Sequence, residues 1–393
     1  MAALFVSTML VQGTALGGIT MFDERILNEL HITRSVLKFR DLIYIFTASF
    51  SCMFMARLCD RFGARTVVAT GLVCFAAVMA GYAVATSIAM IYIAHALLGF
   101  CYACVHVVVM MVILSRWFPT DDPRRGIALG ICVSGSSCGA IVTSQAITAL
   151  LAELPWRGVF GVMALAPLVL LPLTLSIRTP RDTRMGRWQA AQTPQLGFSF
   201  RLLVSGRALA MMMAIVPAFY VSSCAASHTA LMLRGQGLPL ATAAGGVSLM
   251  FTAALVGKFG SGFLLIRFRL QTAWLLSLGL MTVGALLLVL FTREAAIFAL
   301  FLSGLGWGGC FPLAQLKIGE IFPGDALTRV LGAFVVFESI GSAAGAWLTA
   351  VMYDASGSYT LPFTVNVVLL VAGLVASIMI HRNIAATLST ETV

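Results

Sequence analysis

The sequence predicts an all-α membrane protein: twelve transmembrane helices in two pseudo-symmetric six-helix halves. Three observations lead there. The 393 residues are 60% hydrophobic and only 10% charged, against roughly 25% charged in soluble domains, too few charges to clothe a water-facing surface. Mean hydropathy is +0.98, and glycine, with 36 positions, is abundant as in helices that pack within lipid. The apolar residues also fall in runs of about 20, the length a helix needs to cross a hydrocarbon core about 30 Å thick. Soluble enzymes, nucleic-acid-binding domains and disulfide-stapled secreted modules are thereby excluded. The nine cysteines lie mostly within the runs and read as small apolar residues.

In chain order the spans are predicted at 2–22, 42–58, 67–85, 87–113, 126–151, 158–177, 209–231, 241–266, 271–291, 295–316, 330–352 and 361–380. None alternates polar and apolar residues as a barrel strand does, and backbone groups in lipid must be satisfied within a segment, so these are helices. The first lacks a basic leader and runs into an acidic loop, so it is not read as a signal peptide; an earlier translation start is one expectation. Gly135 and Gly139 in the fifth span, and Gly341 and Gly345 in the eleventh, have the small-xxx-small spacing of closely packed helices. In the tenth, Gly304, Gly306, Gly308, Gly309 and Pro312 surround Trp307, a segment able to bend as a gating helix or to pack tightly.

With a cytoplasmic N-terminus, the outer loops keep only Arg25, Arg34, Lys38, Arg40, Arg157, Arg234 and Arg293, while Lys258 lies inside a span. The remaining cations fall in inner loops, so the positive-inside rule puts both termini in the cytoplasm and explains the formal net charge of +10 without a nucleic-acid partner. A long inner loop divides the chain into a first half at 1–177, a linker at 178–207, a second half at 208–382 and a tail at 383–393. Arg178, Arg181, Arg184 and Arg187 of the linker can meet anionic lipid head groups.

The halves repeat weakly. Leu129, Gly130 and Gly139 match Leu331, Gly332 and Gly341 at a constant offset, and the loop from Ala56 to Arg65 has a degenerate counterpart at Gly262 to Arg269. Parallel six-span halves are an architecture of secondary transporters. At this point the sequence resembles the major facilitator superfamily, along essentially its whole length. The family's loop signature Gly-x-Leu-x-Asp-Arg-x-Gly-Arg-Arg is met by Leu58, Asp60, Arg61, Gly63 and Arg65, with Ala56 in place of the first glycine. The resemblance implies a conformational latch formed by Asp60, Arg61 and Arg65; Ile266 replaces the acid in the second copy.

Several segments resemble the monocarboxylate-transporter and oxalate/formate-antiporter branch. These are Leu30-His-Ile-Thr-Arg-Ser35, Arg116-Trp-Phe, Arg124-Arg-Gly-Ile-Ala-Leu-Gly-Ile131, Trp156-Arg-Gly158 and Tyr353-Asp-Ala-Ser-Gly-Ser-Tyr359. The acidic-Gly-aromatic signature of the eukaryotic monocarboxylate group is absent near the first span. The Gly-Pro signature of drug/proton antiporters is absent from the fifth.

Charge within a bilayer is expensive and marks function. Two formally charged residues lie deep in the predicted spans, Lys258 in the eighth and Glu338 in the eleventh. The branch resemblance implies that the eighth-span cation binds a substrate carboxylate. Lys stands where that branch has Arg, which removes bidentate recognition, and Ala254 stands where the monocarboxylate group has an acid. Glu338 is a candidate counter-charge and proton carrier; a permanent structural ion pair with Lys258 is the other reading. Tyr220, Cys224 and His228 share one face of the seventh span, with Tyr220 a candidate substrate contact and His228 a proton relay. His95 and His106 lie roughly on one face of the fourth. His106 and Gln12 are further candidate substrate contacts; Ser134, Ser136 and Ser137 can donate to substrate or join helices. Cys101-Tyr-Ala-Cys104-Val-His106 is out of register for haem attachment, no Walker loop is present, and no cofactor or metal is expected.

The sequence therefore predicts a monomeric, non-enzymatic carrier of the inner membrane that moves a small organic anion, a monocarboxylate, with a proton. Efflux of drug-like or siderophore-like solutes is the alternative.

Overall fold

The computed structural model describes residues 1–118, 122–177, 205–290, 295–322 and 325–391. Most of the linker, with Arg178, Arg181, Arg184 and Arg187, and Arg293 lie outside them. The described residues are helical and form twelve helices long and apolar enough to span a membrane, as predicted. Contacts divide the chain into two compact units, Met1–Gln192 with Ala226–Phe251, and Thr193–Ala225 with Thr252–Val393.

In the first unit, α1 (Ala2–Gly13) continues through a π turn (Thr14–Gly18) and a 3-10 turn (Ile19–Phe22) into α2 (Asp23–Leu30), and is followed by α3 (Arg34–Phe62) and α4 (Ala64–Ala83). The fourth span is broken into α5 (Ile88–Cys104) and α6 (Val107–Leu114); α7 (Pro123–Glu153) and α8 (Trp156–Leu175) complete the set. α1 crosses α7 at backbone distance. A Cβ on Gly13 would fall on the Gly139 backbone, and one on Gly139 would fall on that of Met9. Only glycine permits that approach.

In the second half of the sequence run α9 (Gly206–Gly235), α10 (Leu240–Arg267), α11 (Leu270–Leu290), α12 (Ala296–Ile321), α13 (Asp325–Ser356) and α14 (Thr360–Glu391). The second unit repeats the glycine device: a Cβ on Gly345 of α13 would fall on the Tyr220 carbonyl of α9. Gly306 and Gly309 of α12 sit against Ser277 of α11, and Gly308 against the Ala254 backbone of α10. These tenth-span glycines therefore serve close packing, and the helix runs through Pro312 without interruption.

Two boundaries correct the sequence reading. The second span begins at Arg34, not 42. Thr33 caps it, its hydroxyl accepting the Val36 N–H, and the eight extra residues carry Lys38, Arg40 and Asp41 into the protein. Neither Lys38 nor Arg40 is a loop cation. Lys317, also assigned to a loop, is buried in α12 and paired with Glu320.

Candidate functional site

The first unit encloses a charged cluster that hydropathy hides. Asp23, at the start of α2, has no exposed side-chain surface and pairs with two cations of α3: Lys38 Nζ lies 2.6 Å from its Oδ2, and the Arg40 guanidinium donates to its Oδ1. Asp41 lies 3.4 Å from each of the same two cations. From α5, His95 places Nε2 3.7 Å from Asp41, while its Nδ1 hydrogen-bonds the Tyr82 hydroxyl of α4. Lys38 also donates to the Ser227 carbonyl, at 2.6 Å. The expectation that Lys258 and Glu338 were the charges buried in the spans is thus incomplete, because α3 brings in two cations and a carboxylate one and two turns beyond its cap.

Below the cluster the aromatic rings continue along α3 and α5. Tyr44 lies edge-on to His95 and to Tyr102, with centroids 6.3 and 5.5 Å apart, and Tyr102 lies 5.4 Å from His106. His106 stands at the break between α5 and α6, in extended conformation. The Val105 carbonyl at that break accepts the Gln12 amide at 3.2 Å and the Thr8 hydroxyl at 3.4 Å. Side chains of a neighbouring helix so satisfy the interrupted backbone, and Gln12 and His106, nominated separately, meet at one place. His106 Nδ1 is buried there with no hydrogen-bond partner among the described residues. Discontinuous helices of this kind line the substrate sites of secondary transporters.

In the second unit, Phe311 of α12 connects the candidates. Its ring lies 5.8 Å from the Lys258 ammonium of α10 and 6.2 Å from the ring of Phe219, the neighbour of Tyr220 on α9. Glu338 is buried on α13, and its carboxylate accepts the Gln315 amide of α12 at 3.1 and 3.4 Å. The partners shown for Lys258 and Glu338 are thus different side chains on α12. Tyr220 and Cys224 are buried in this unit, Cys224 accepting from Asn366 at 3.3 Å. His228, four residues on, is buried among residues of the first unit.

At the signature loop, Gly63 joins α3 to α4 with φ +85° and ψ 138°, a conformation closed to residues with a Cβ. Asp60 pairs with Arg116 at 3.7 Å, Arg61 stacks on Phe62, and Arg65 is exposed at the start of α4.

The family model described as Major Facilitator Superfamily matches residues 4–294 and 246–389. Monocarboxylate transporter 13 of Rattus norvegicus is 26% identical over 329 residues, 80% of this chain and 73% of that protein. The MFS-type transporter pynF of Aspergillus niger is 25% identical over 327 residues, 80% of this chain and 71% of that one. A bacterial homologue of the human lysosomal transporter Spinster superposes with a TM-score of 0.74 at 14% identity, covering 97% of this chain and 96% of that one. A D-xylose-proton symporter superposes at 0.73 and 14% identity, covering 96% of each chain. The chain belongs to the major facilitator superfamily and is a membrane transporter rather than an enzyme.

Proposed function

We propose that the protein is a secondary carrier that moves a small organic anion, a monocarboxylate, together with a proton across the inner membrane by alternating access. The observation that carries this reading is Lys258, a cation inside a membrane helix, half-buried against the face of Phe311. A cation within a membrane helix is costly and, as a positive charge in low dielectric, attracts an anionic solute. Similarity to proteins named monocarboxylate transporters supports the same anion class. Tyr220 and Lys258 are the candidate substrate ligands of the second unit, and Gln12 and His106 are those of the first, each set taken by itself.

Glu338 supplies the proton site. Its buried carboxylate accepts from a neutral amide, Gln315, the partner it has among the described residues, and in that setting it can exchange a proton during the cycle. His228 is the second proton carrier, and the Asp60, Arg61 and Arg65 loop is the conformational latch. For the tenth-span helix with Gly304, Gly306, Gly308, Gly309 and Pro312, the close glycine contacts and the unbroken helix favour the packing role over a bending gate. The transporter works as a monomer with both termini in the cytoplasm, and its halves are 1–177 and 208–382.

Uptake of a panel of labelled monocarboxylates into proteoliposomes, with and without an imposed pH gradient, tests the reading. Wild type accumulates a carboxylate when the gradient drives protons inward, Lys258→Ala abolishes uptake, and Glu338→Gln retains exchange but loses the response to the gradient. Transport of apolar solutes independent of Lys258 would overturn it in favour of efflux of drug-like compounds.

A further inference from the structure

The cluster of Asp23, Lys38, Arg40, Asp41 and His95 has a role that neither the substrate ligands nor Glu338 explains. Two cations face two carboxylates, so with His95 neutral its formal charge is zero, and four of the five side chains are at most 1% exposed. The Lys38 ammonium donates to the Ser227 carbonyl at 2.6 Å and pairs with two carboxylates, Asp23 at 2.6 Å and Asp41 at 3.4 Å. Ser227 belongs to the stretch Ala226–Phe251, which is distant in sequence from the helices that build the cluster yet packs in the same unit. Two more polar ties hold that stretch. Arg234 grips Glu24 through two bonds of 2.6 and 3.0 Å, and Ser248 meets Ser144 at 3.1 Å and Gln145 at 2.8 Å. All are exchangeable for water, and the Lys38 tie is buried at its centre.

We propose that the cluster is a proton-binding site that controls the hold of Lys38 on the Ala226–Phe251 stretch. The proton acceptor is His95. The groups facing it are Asp41 and Tyr44 of α3 and Tyr82 of α4, with Lys38 and Arg40 the further charges close enough to act on it. Whichever ring nitrogen carries hydrogen at the start, proton uptake leaves one N–H directed at Asp41 and the other at the Tyr82 oxygen, which then accepts. The formal charge rises from zero to +1.

A neutral cluster tolerates dry burial, whereas a net charge without a counter-ion does not. Water admitted by withdrawal of the stretch supplies the missing solvation. The proton therefore binds better to the released state than to the held one, and by reciprocity proton binding favours release. The imidazolium also competes with Lys38 for Asp41. This device does not depend on the identity of the solute or on the roles given to Lys258 and Glu338.

Hydrogen exchange read by mass spectrometry on the full-length protein in lipid nanodiscs, with no solute added, tests it. Peptides within 226–251 are compared between about pH 5 and 8, where histidine changes charge, after correction for intrinsic exchange. In wild type these peptides lose protection on acidification, by up to about tenfold per pH unit for one linked proton; in His95→Gln the profile is flat. The double variant Lys38→Met/Asp41→Asn leaves Asp23 and Arg40 balanced, and raises exchange in 226–251 about 10- to 100-fold at every pH, as expected for losing a charged hydrogen bond. Peptides of α4 and α8 are unchanged. An unaltered pH profile in His95→Gln overturns the proposal, as does wild-type protection of 226–251 in the double variant. If that variant does not fold, the His95→Gln profile decides alone.

Discussion

Asp23→Asn tests how tightly the buried cluster is balanced. The side chain is fully buried and is the carboxylate shared by Lys38 and Arg40. Replacing it by a neutral amide of the same shape leaves two buried cations facing one carboxylate, Asp41, at 3.4 Å from each. Breaking a buried pair by removing one partner costs about 3–5 kcal/mol, most of it the penalty of the uncompensated charge. Removing both members of a pair is close to neutral. Asp23→Asn should thus lower the folded-to-unfolded ratio about 100- to 1,000-fold or more, and Asp23→Asn/Lys38→Met should recover at least half of that loss. The assay is equilibrium unfolding in mixed detergent micelles, monitored by tryptophan fluorescence, with all three proteins at one pH. An Asp23→Asn protein as stable as wild type would refute the electrostatic account. So would a double variant less stable than the single one, because a purely steric role for the two side chains makes their losses add.

Two further outcomes follow from the geometry of the first unit. Gly139→Val places a branched side chain on the Met9 backbone, and forcing α1 from α7 should cost about 1–3 kcal/mol or more, seen as loss of the monodisperse peak in size-exclusion chromatography; Gly130→Val, with open space at its Cβ position, should keep it. Arg157 donates twice to the Ala85 carbonyl, at 2.7 and 3.2 Å, pairs with Glu29 and lies 4.2 Å from the Trp156 ring. Arg157→Lys cannot reproduce this fork and should cost about 1–2 kcal/mol in the same unfolding assay.

What was legible in the sequence divides by the kind of physics involved. The number of spans follows from hydropathy alone, since lipid acts on each segment separately. The Gly135, Gly139, Gly341 and Gly345 contacts were legible for a related reason: small residues at helical spacing have one main use between helices. Lys258 and Glu338 were visible as charges because they interrupt otherwise apolar runs. Their partners Phe311 and Gln315 were not, because a membrane helix carries no local mark of which neighbour it will face. The break at Val105–His106 was hidden as well. No Pro or Gly lies within five residues of it, and the Val105 carbonyl freed there is satisfied by Gln12 and Thr8 of another helix.

The buried cluster shows the limit most clearly. Read alone, Lys38, Arg40 and Asp41 flank an apolar run and look like loop charges; Thr33 as a helix cap, and Lys38 with Asp41 at helical spacing, were the available signals. The sequence by itself determined a twelve-helix membrane chain with a repeated half, because transfer to lipid is a sum over nearby residues. The tertiary structure alone decided which charges are buried. A buried cation needs a partner to offset its desolvation, and Asp23 and Ser227 reach Lys38 from 15 and 189 residues away.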